Sequence, residues 1–123
     1  MSDPRELSNW FVVKFDEEKV ELHVNPPGSE KQEPRIFFWN DVIRVCFQAN
    51  DFLISDEVYV FTSKRPESYV VPMQASGADK LWGEIIEREL FDAKLAIKAA
   101  TEGEGLYCWP EITREEIEKY KEK

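Results

Sequence analysis

The 123-residue chain has one histidine, two cysteines, five glycines and fewer basic than acidic residues, and each shortage removes a class of function. His23 alone limits any Ser-His-Asp or Cys-His mechanism to a single possible base. Its place in Val20-Glu21-Leu22-His23-Val24 sets it beside Glu21 on the polar face of a strand, where it is solvated. Cys46 and Cys108 match no Cys-x-x-Cys or metal-ligand spacing, so no metal site is expected. The glycines form neither GxGxxG nor a phosphate loop, and no cofactor is expected. No signal peptide is recognisable, and apolar runs such as Trp10-Phe11-Val12-Val13 fall far short of the ~20 residues that span a bilayer. The expectation is a cytoplasmic protein whose cysteines are two reduced, mostly buried thiols, although a disulfide between them is possible. The 16 basic and 25 acidic residues give a net charge of −9. That argues against nucleic acid or an anionic membrane as the main partner, since both require a positive field.

What is abundant is aromatic and apolar. Phe, Trp and Tyr make up 13% of the chain and apolar residues 42%, enough for one domain with its own core. The organisation expected is an N-terminal arm over 1–9, a single domain over 10–110 and a polar helical tail over 111–123. Residues 10–15 and 20–24 alternate as a hairpin about Asp16-Glu17-Glu18-Lys19. Pro27-Gly28 suits the centre of a type II turn in the loop that follows. Further strands are expected over 35–39, 43–48 (with Ile43, Val45 and Phe47 on one side), 52–54, 57–62 and 68–73. The turn before the last of these is placed at 64–67, and Pro72 puts that strand at an edge or near its own end.

From Ser76 the period lengthens to that of a helix, with Trp82, Ile85, Ile86, Leu90, Ala93 and Ile97 on one stripe. Ser76 and Asp79 make a weak capping box, and Gly103 with Gly105 supplies stop signals. Phe91 and Leu95 lie off the stripe. Either the helix is buried on two sides, or it bends near Asp92, which would cap a second segment. Leu106-Tyr107-Cys108-Trp109-Pro110 is an apolar pentapeptide that needs something to dock on. Thr113-Arg114-Glu115-Glu116 is a capping box for a short helix in the tail.

Seven short strands followed by an amphipathic helix resemble the pleckstrin-homology-like superfold. The Phe38-Trp39-Asn40-Asp41-Val42-Ile43 step looks like that entering the middle strands of bacterial members. Trp82 with Ile85 and Ile86 is similar to the plug helix. The resemblance implies an α+β fold: a seven-stranded antiparallel, strongly bent sheet or partly open barrel, plugged by one long C-terminal helix, with a short extra helix after it. It also implies a binding scaffold, and no more than that, because fold alone does not name a ligand. The acidic Asp16-Glu17-Glu18 turn stands where phosphoinositide-binding members carry bases, so no phosphoinositide is expected.

Carboxylates are plentiful, but pairs such as Asp16/Glu17 lie on turns and stay solvated, and Asp41 reads as a turn or helix cap. The aromatic surplus is the sharper signal. Residues 37–39 place bulky rings on both faces of one strand, so the Trp39 face is either covered by the 106–109 segment or the helix, or is a binding patch. Phe37, Trp39, Tyr107 and Trp109 are therefore the candidate partner-binding residues. The reading is a non-enzymatic protein- or peptide-binding module, with self-association as one possibility. The alternative is an acidic inhibitor or immunity-type protein that neutralises a basic partner. Against the latter, the acids are spread through turns, strand faces and the tail, where residues 101–123 hold 7 acids and 4 bases.

Overall fold

A computed structural model describes residues 6–50 and 56–111. Strands β1 (Phe11–Phe15), β2 (Lys19–Val24) and β3 (Arg35–Phe38) form one antiparallel sheet in the order β1-β2-β3. Strands β4 (Val42–Ala49), β5 (Glu57–Thr62), β6 (Arg65–Pro72) and β7 (Gly105–Trp109) form a second, in the order β6-β5-β4-β7. Between β6 and β7 lie two helices, α1 (Ala78–Glu87) and α2 (Ala93–Glu102). The expected 52–54 strand, the capped helix of the tail from 112 on and the first five residues of the arm lie outside the described residues.

The α+β class holds, but the single bent seven-stranded sheet does not. Two sheets form because a 3-10 turn at Trp39–Asp41 separates β3 from β4. The Trp39 amide donates to Glu18 O at 3.0 Å, which turns the chain back onto the β1–β2 hairpin before β4 begins. The hairpin itself is as its alternation implies, from Phe11↔Val24 to Phe15↔Val20. Asp16 closes it: the Lys19 and Glu18 amides donate to its Oδ1 at 2.9 and 2.8 Å and hold its carboxyl below the ordinary carboxylate value. Pro27-Gly28 also forms its turn, with Gly28 at φ +81° and Ser29 N donating to Pro26 O at 3.2 Å. Pro72 ends β6, an outer strand of its sheet.

Three local expectations are corrected. A bulge between Val42 and Arg44 breaks the alternation of β4, so Ile43 faces solvent at 56% exposure while Val45 and Phe47 remain inside. The turn before β6 is tighter than 64–67, with the strand resuming at Arg65. Ser76 does not cap α1; its N–H and C=O bond Phe11 O (3.0 Å) and Val13 N (2.7 Å) along the outer edge of β1, and Gly77, at φ +85°, occupies the cap position.

One long plug helix is likewise absent among the described residues, and of the two alternatives the bend is the one observed. α1 ends at Arg88, Glu89 takes φ +60°, and Asp92 caps α2 by accepting from the Leu95 amide at 3.1 Å. The break rotates the apolar stripe. Leu81 and Ile85 are buried from α1, Phe91 is buried in the joint, and Ala99 is buried from α2. Ile97, expected inside, is 65% exposed. Gly103, at φ +79°, follows α2 as its stop. The apolar pentapeptide then docks as β7 on β4, from Val45↔Trp109 to Ala49↔Gly105. Buried residues of both sheets and both helices form one cluster that includes Val13, Leu22, Val45, Val60, Leu81 and Phe91.

Candidate interaction surface

The four aromatic candidates separate into two pairs. Phe37 and Trp39 are 3% and 5% exposed, so neither is part of a surface. Trp39 donates its Nε1–H to Asp16 O at 2.8 Å. Phe15 and Phe37 stand edge-on to it at 6.0 and 6.2 Å, and the Arg88 guanidinium covers the ring at 4.4 Å. The cover over Trp39 is thus Arg88, itself held by Glu84 at 2.7 Å, and not the 106–109 segment. Phe37 packs on Tyr69 at 4.9 Å. Tyr107 and Trp109 both lie on β7, the first half-buried and the second 41% exposed.

His23 pairs with Glu21 at 3.1 Å on the outer side of β2 and lines neither of the cavities beside α2. Asp41 sits in the 3-10 turn, its carbonyl accepting from Ser63 N at 2.9 Å. Among the described residues no group of three His, Cys, Asp or Glu side chains is placed to hold a metal ion, and no helix is long and apolar enough to cross a membrane.

Sheet edges differ in how far they are blocked. The outer edge of β1 is taken by Ser76. β3 is four residues long, and Tyr69 OH donates to Ile36 O on it at 3.3 Å. β6 contains Pro66 and Pro72, which have no N–H, and Arg65 folds over its own strand to the Glu67 and Ser68 carbonyls, both at 3.0 Å. These are the usual devices for keeping an edge unpaired. β7, Gly-Leu-Tyr-Cys-Trp, has no proline and no charge.

A groove of 460 Å³ runs beside β7, lined by Leu106, Tyr107, Cys108 and Glu111 and, on the α2 wall, by Leu95 and Lys98. β7 is fixed at both ends. Gln48 Nε2 donates to Gly105 O at 3.1 Å, and Arg44 donates to Pro110 O and Glu111 O at 2.8 and 3.2 Å. Cys46 and Cys108 face each other with their Cα atoms 4.0 Å apart, the spacing of a non-hydrogen-bonded pair. The ladder to β4 therefore runs through Tyr107 and Trp109, and the N–H and C=O groups of Leu106 and Cys108 turn away from β4, to the outer edge of β7.

The two cysteines are joined in a disulfide, in place of the reduced pair expected. Their separation of 62 residues hid a direct cross-strand pairing that the β4–β7 register imposes. Only Cys46 is deeply buried, at 3% exposure; Cys108 is half-exposed and lines the groove. A second cavity, of 260 Å³, lies between Phe47, Trp82 and the alanines of α2, with Asp56 at its margin accepting from Asn50 N at 2.8 Å. The chain matches no family model, no curated protein and no solved structure.

Proposed function

We propose that the protein is a non-enzymatic peptide-binding module that takes an extended segment as an added strand on β7. The observation that carries this reading is the groove between β7 and α2, lined by Leu106 and Cys108, the two residues whose backbone groups the register turns away from β4. Strand addition draws affinity from main-chain hydrogen bonds and specificity from alternate side chains, so it requires none of the catalytic groups this chain lacks. The pinned ends of β7 favour it further, because a pre-organised edge loses little entropy on binding. The occupant is a peptide with alternating apolar residues, an acid facing Lys98 and a base facing Glu111. A second copy fits less well: full antiparallel overlap of two β7 strands brings Glu104 of one copy near Glu111 of the other, in a chain of net charge −9. The pleckstrin-homology-like resemblance contributes only the idea of a scaffold whose surface chooses the ligand. A cytoplasmic setting belongs to the same proposal, and there a disulfide is most often transient and redox-sensing.

Selection of a phage-displayed random-peptide library on the oxidised protein supplies the probe. Leu106→Pro removes one outer-edge N–H without touching the ladder to β4. It is expected to weaken the selected peptide about tenfold or more, the equivalent of one lost hydrogen bond plus the ring's obstruction. Leu106→Ala retains the N–H and loses less. Equal binding by wild type and Leu106→Pro, with both folded by circular dichroism, refutes strand addition at β7.

A further inference from the structure

The disulfide and the groove meet at one sulfur, and their arrangement has a chemical consequence. Val70, Tyr59, Cys46 and Cys108 form one row across β6, β5, β4 and β7 on a single face of the sheet. A strand added to β7 would extend that row by one residue, because Cys108 and its new neighbour would form a hydrogen-bonded pair with side chains on the same face. A cysteine at that position would stand on the side of Cys108 opposite Cys46. Thiol–disulfide exchange proceeds by attack of a thiolate on one disulfide sulfur with departure of the other, and this row puts the incoming cysteine beside Cys108, on the side away from Cys46.

We propose that Cys108 is a thiol-exchange site, and that the groove accepts a cysteine-bearing extended peptide which becomes covalently attached there; this deepens the peptide-binding reading and rests on it. The peptide thiolate attacks Cys108 Sγ, the peptide–Cys108 S–S bond forms, the Cys108–Cys46 bond breaks, and Cys46 leaves as the thiolate. The peptide sulfur is oxidised to the disulfide level and the Cys46 sulfur is reduced to the thiolate by the same two electrons, so no external oxidant is needed. In the reverse step Cys46 attacks Cys108 Sγ and expels the peptide thiolate, restoring the disulfide.

Two features favour this direction. Access selects the sulfur, since Cys46 is 3% exposed and Cys108 opens on the groove. The bonds of Arg44 and Gln48 to the ends of β7 do not involve the sulfurs, so Cys46 stays opposite Cys108 after release and the reverse step is effectively intramolecular.

The test uses a synthetic extended peptide of alternating valine and threonine with one central cysteine, flanked by an acid and a base, and its cysteine-to-serine twin. The oxidised full chain is incubated with each, acid-quenched, alkylated with N-ethylmaleimide and digested for mass spectrometry. The expected result is a mixed disulfide on Cys108 and alkylation on Cys46, with Cys108 adducts exceeding Cys46 adducts by about tenfold or more. Attachment to Cys46, or an intact disulfide under conditions that reduce the urea-unfolded chain, overturns the proposal. The serine twin separates the two readings. If it binds and no adduct forms with its cysteine partner, exchange fails and the groove stands. If the adduct forms on Cys108 while the twin does not bind, the strand-addition reading fails and Cys108 remains only a reactive sulfur, which overturns the templated form proposed here.

Discussion

Phe91→Ala is expected to lower the stability of the protein by about 3–5 kcal/mol, read as a shift of the urea midpoint at unchanged slope. Phe91 is 1% exposed and heads the fully buried side chains in volume. Its ring lies 4.8 Å from Trp82, which in turn lies 4.9 Å from Phe47 on β4. Truncation leaves a cavity at the joint of α1 and α2, where the backbone is already committed by Glu89 at φ +60° and by the Asp92 cap, so little collapse is available to refill it. For a domain held by roughly 5–15 kcal/mol in all, this is a large share. The control is Ile97→Ala. A continuous helix would put Ile97 in the core and Phe91 off the stripe; the broken one reverses them, and Ile97→Ala should change stability by less than about 0.5 kcal/mol. Equal losses at both positions would reject the break.

Gly77→Ala is the second large effect, expected to cost roughly 2–4 kcal/mol from left-handed backbone strain and overpacking together. Gly77 has φ +85°, and a Cβ there would collide with the Val13 carbonyl oxygen. That carbonyl belongs to the strand whose edge Ser76 occupies, so the substitution presses α1 away from β1. Gly28 provides the comparison: it has φ +81°, but a methyl group there would meet no atom within 4 Å. Gly28→Ala should therefore carry only the conformational cost, about 1 kcal/mol. Thermal denaturation of the two variants side by side distinguishes steric from conformational cost. Indistinguishable midpoints would mean that the 75–77 segment does not hold β1 as described.

Much of the fold was legible because strand alternation survives wherever one face is buried. The β1–β2 hairpin, the Pro27-Gly28 turn and the edge position of Pro72 follow from period and turn chemistry alone. The helix stripe was misleading beyond Leu90, because a 3.6-residue period continues across Glu89 in the sequence while the chain does not. Asp92, a capping residue placed before Ala93, carried the contrary signal. Division into two sheets was not legible. The 3-10 turn that separates the sheets is anchored by Trp39 through its amide on Glu18 O and its ring under Arg88, contacts that join residues distant in the chain.

Of the four aromatic candidates, Tyr107 lines the groove and Trp109 lies on β7 outside its lining. Both stood out because five apolar residues follow a helix stop and need a partner, and the partner is β4. Phe37 and Trp39 stood out for the same aromatic reason but belong to the core. Leu95 and Lys98 were missed because a groove wall has no local pattern. The Cys46–Cys108 pairing was missed because register between strands 62 residues apart is a tertiary fact.

Amide hydrogen exchange resolved at single residues, measured on the oxidised protein with and without a selected peptide, tests the β7 groove most directly. In the free protein the Tyr107 and Trp109 amides, bonded to β4, are predicted to be protected, and the Leu106 and Cys108 amides to exchange rapidly. Bound peptide is predicted to slow Leu106 and Cys108 and to leave β3 unchanged. Protection that falls instead on Ile36 and Phe38, or bound peptide that leaves Leu106 and Cys108 exchanging as before, would contradict strand addition at β7.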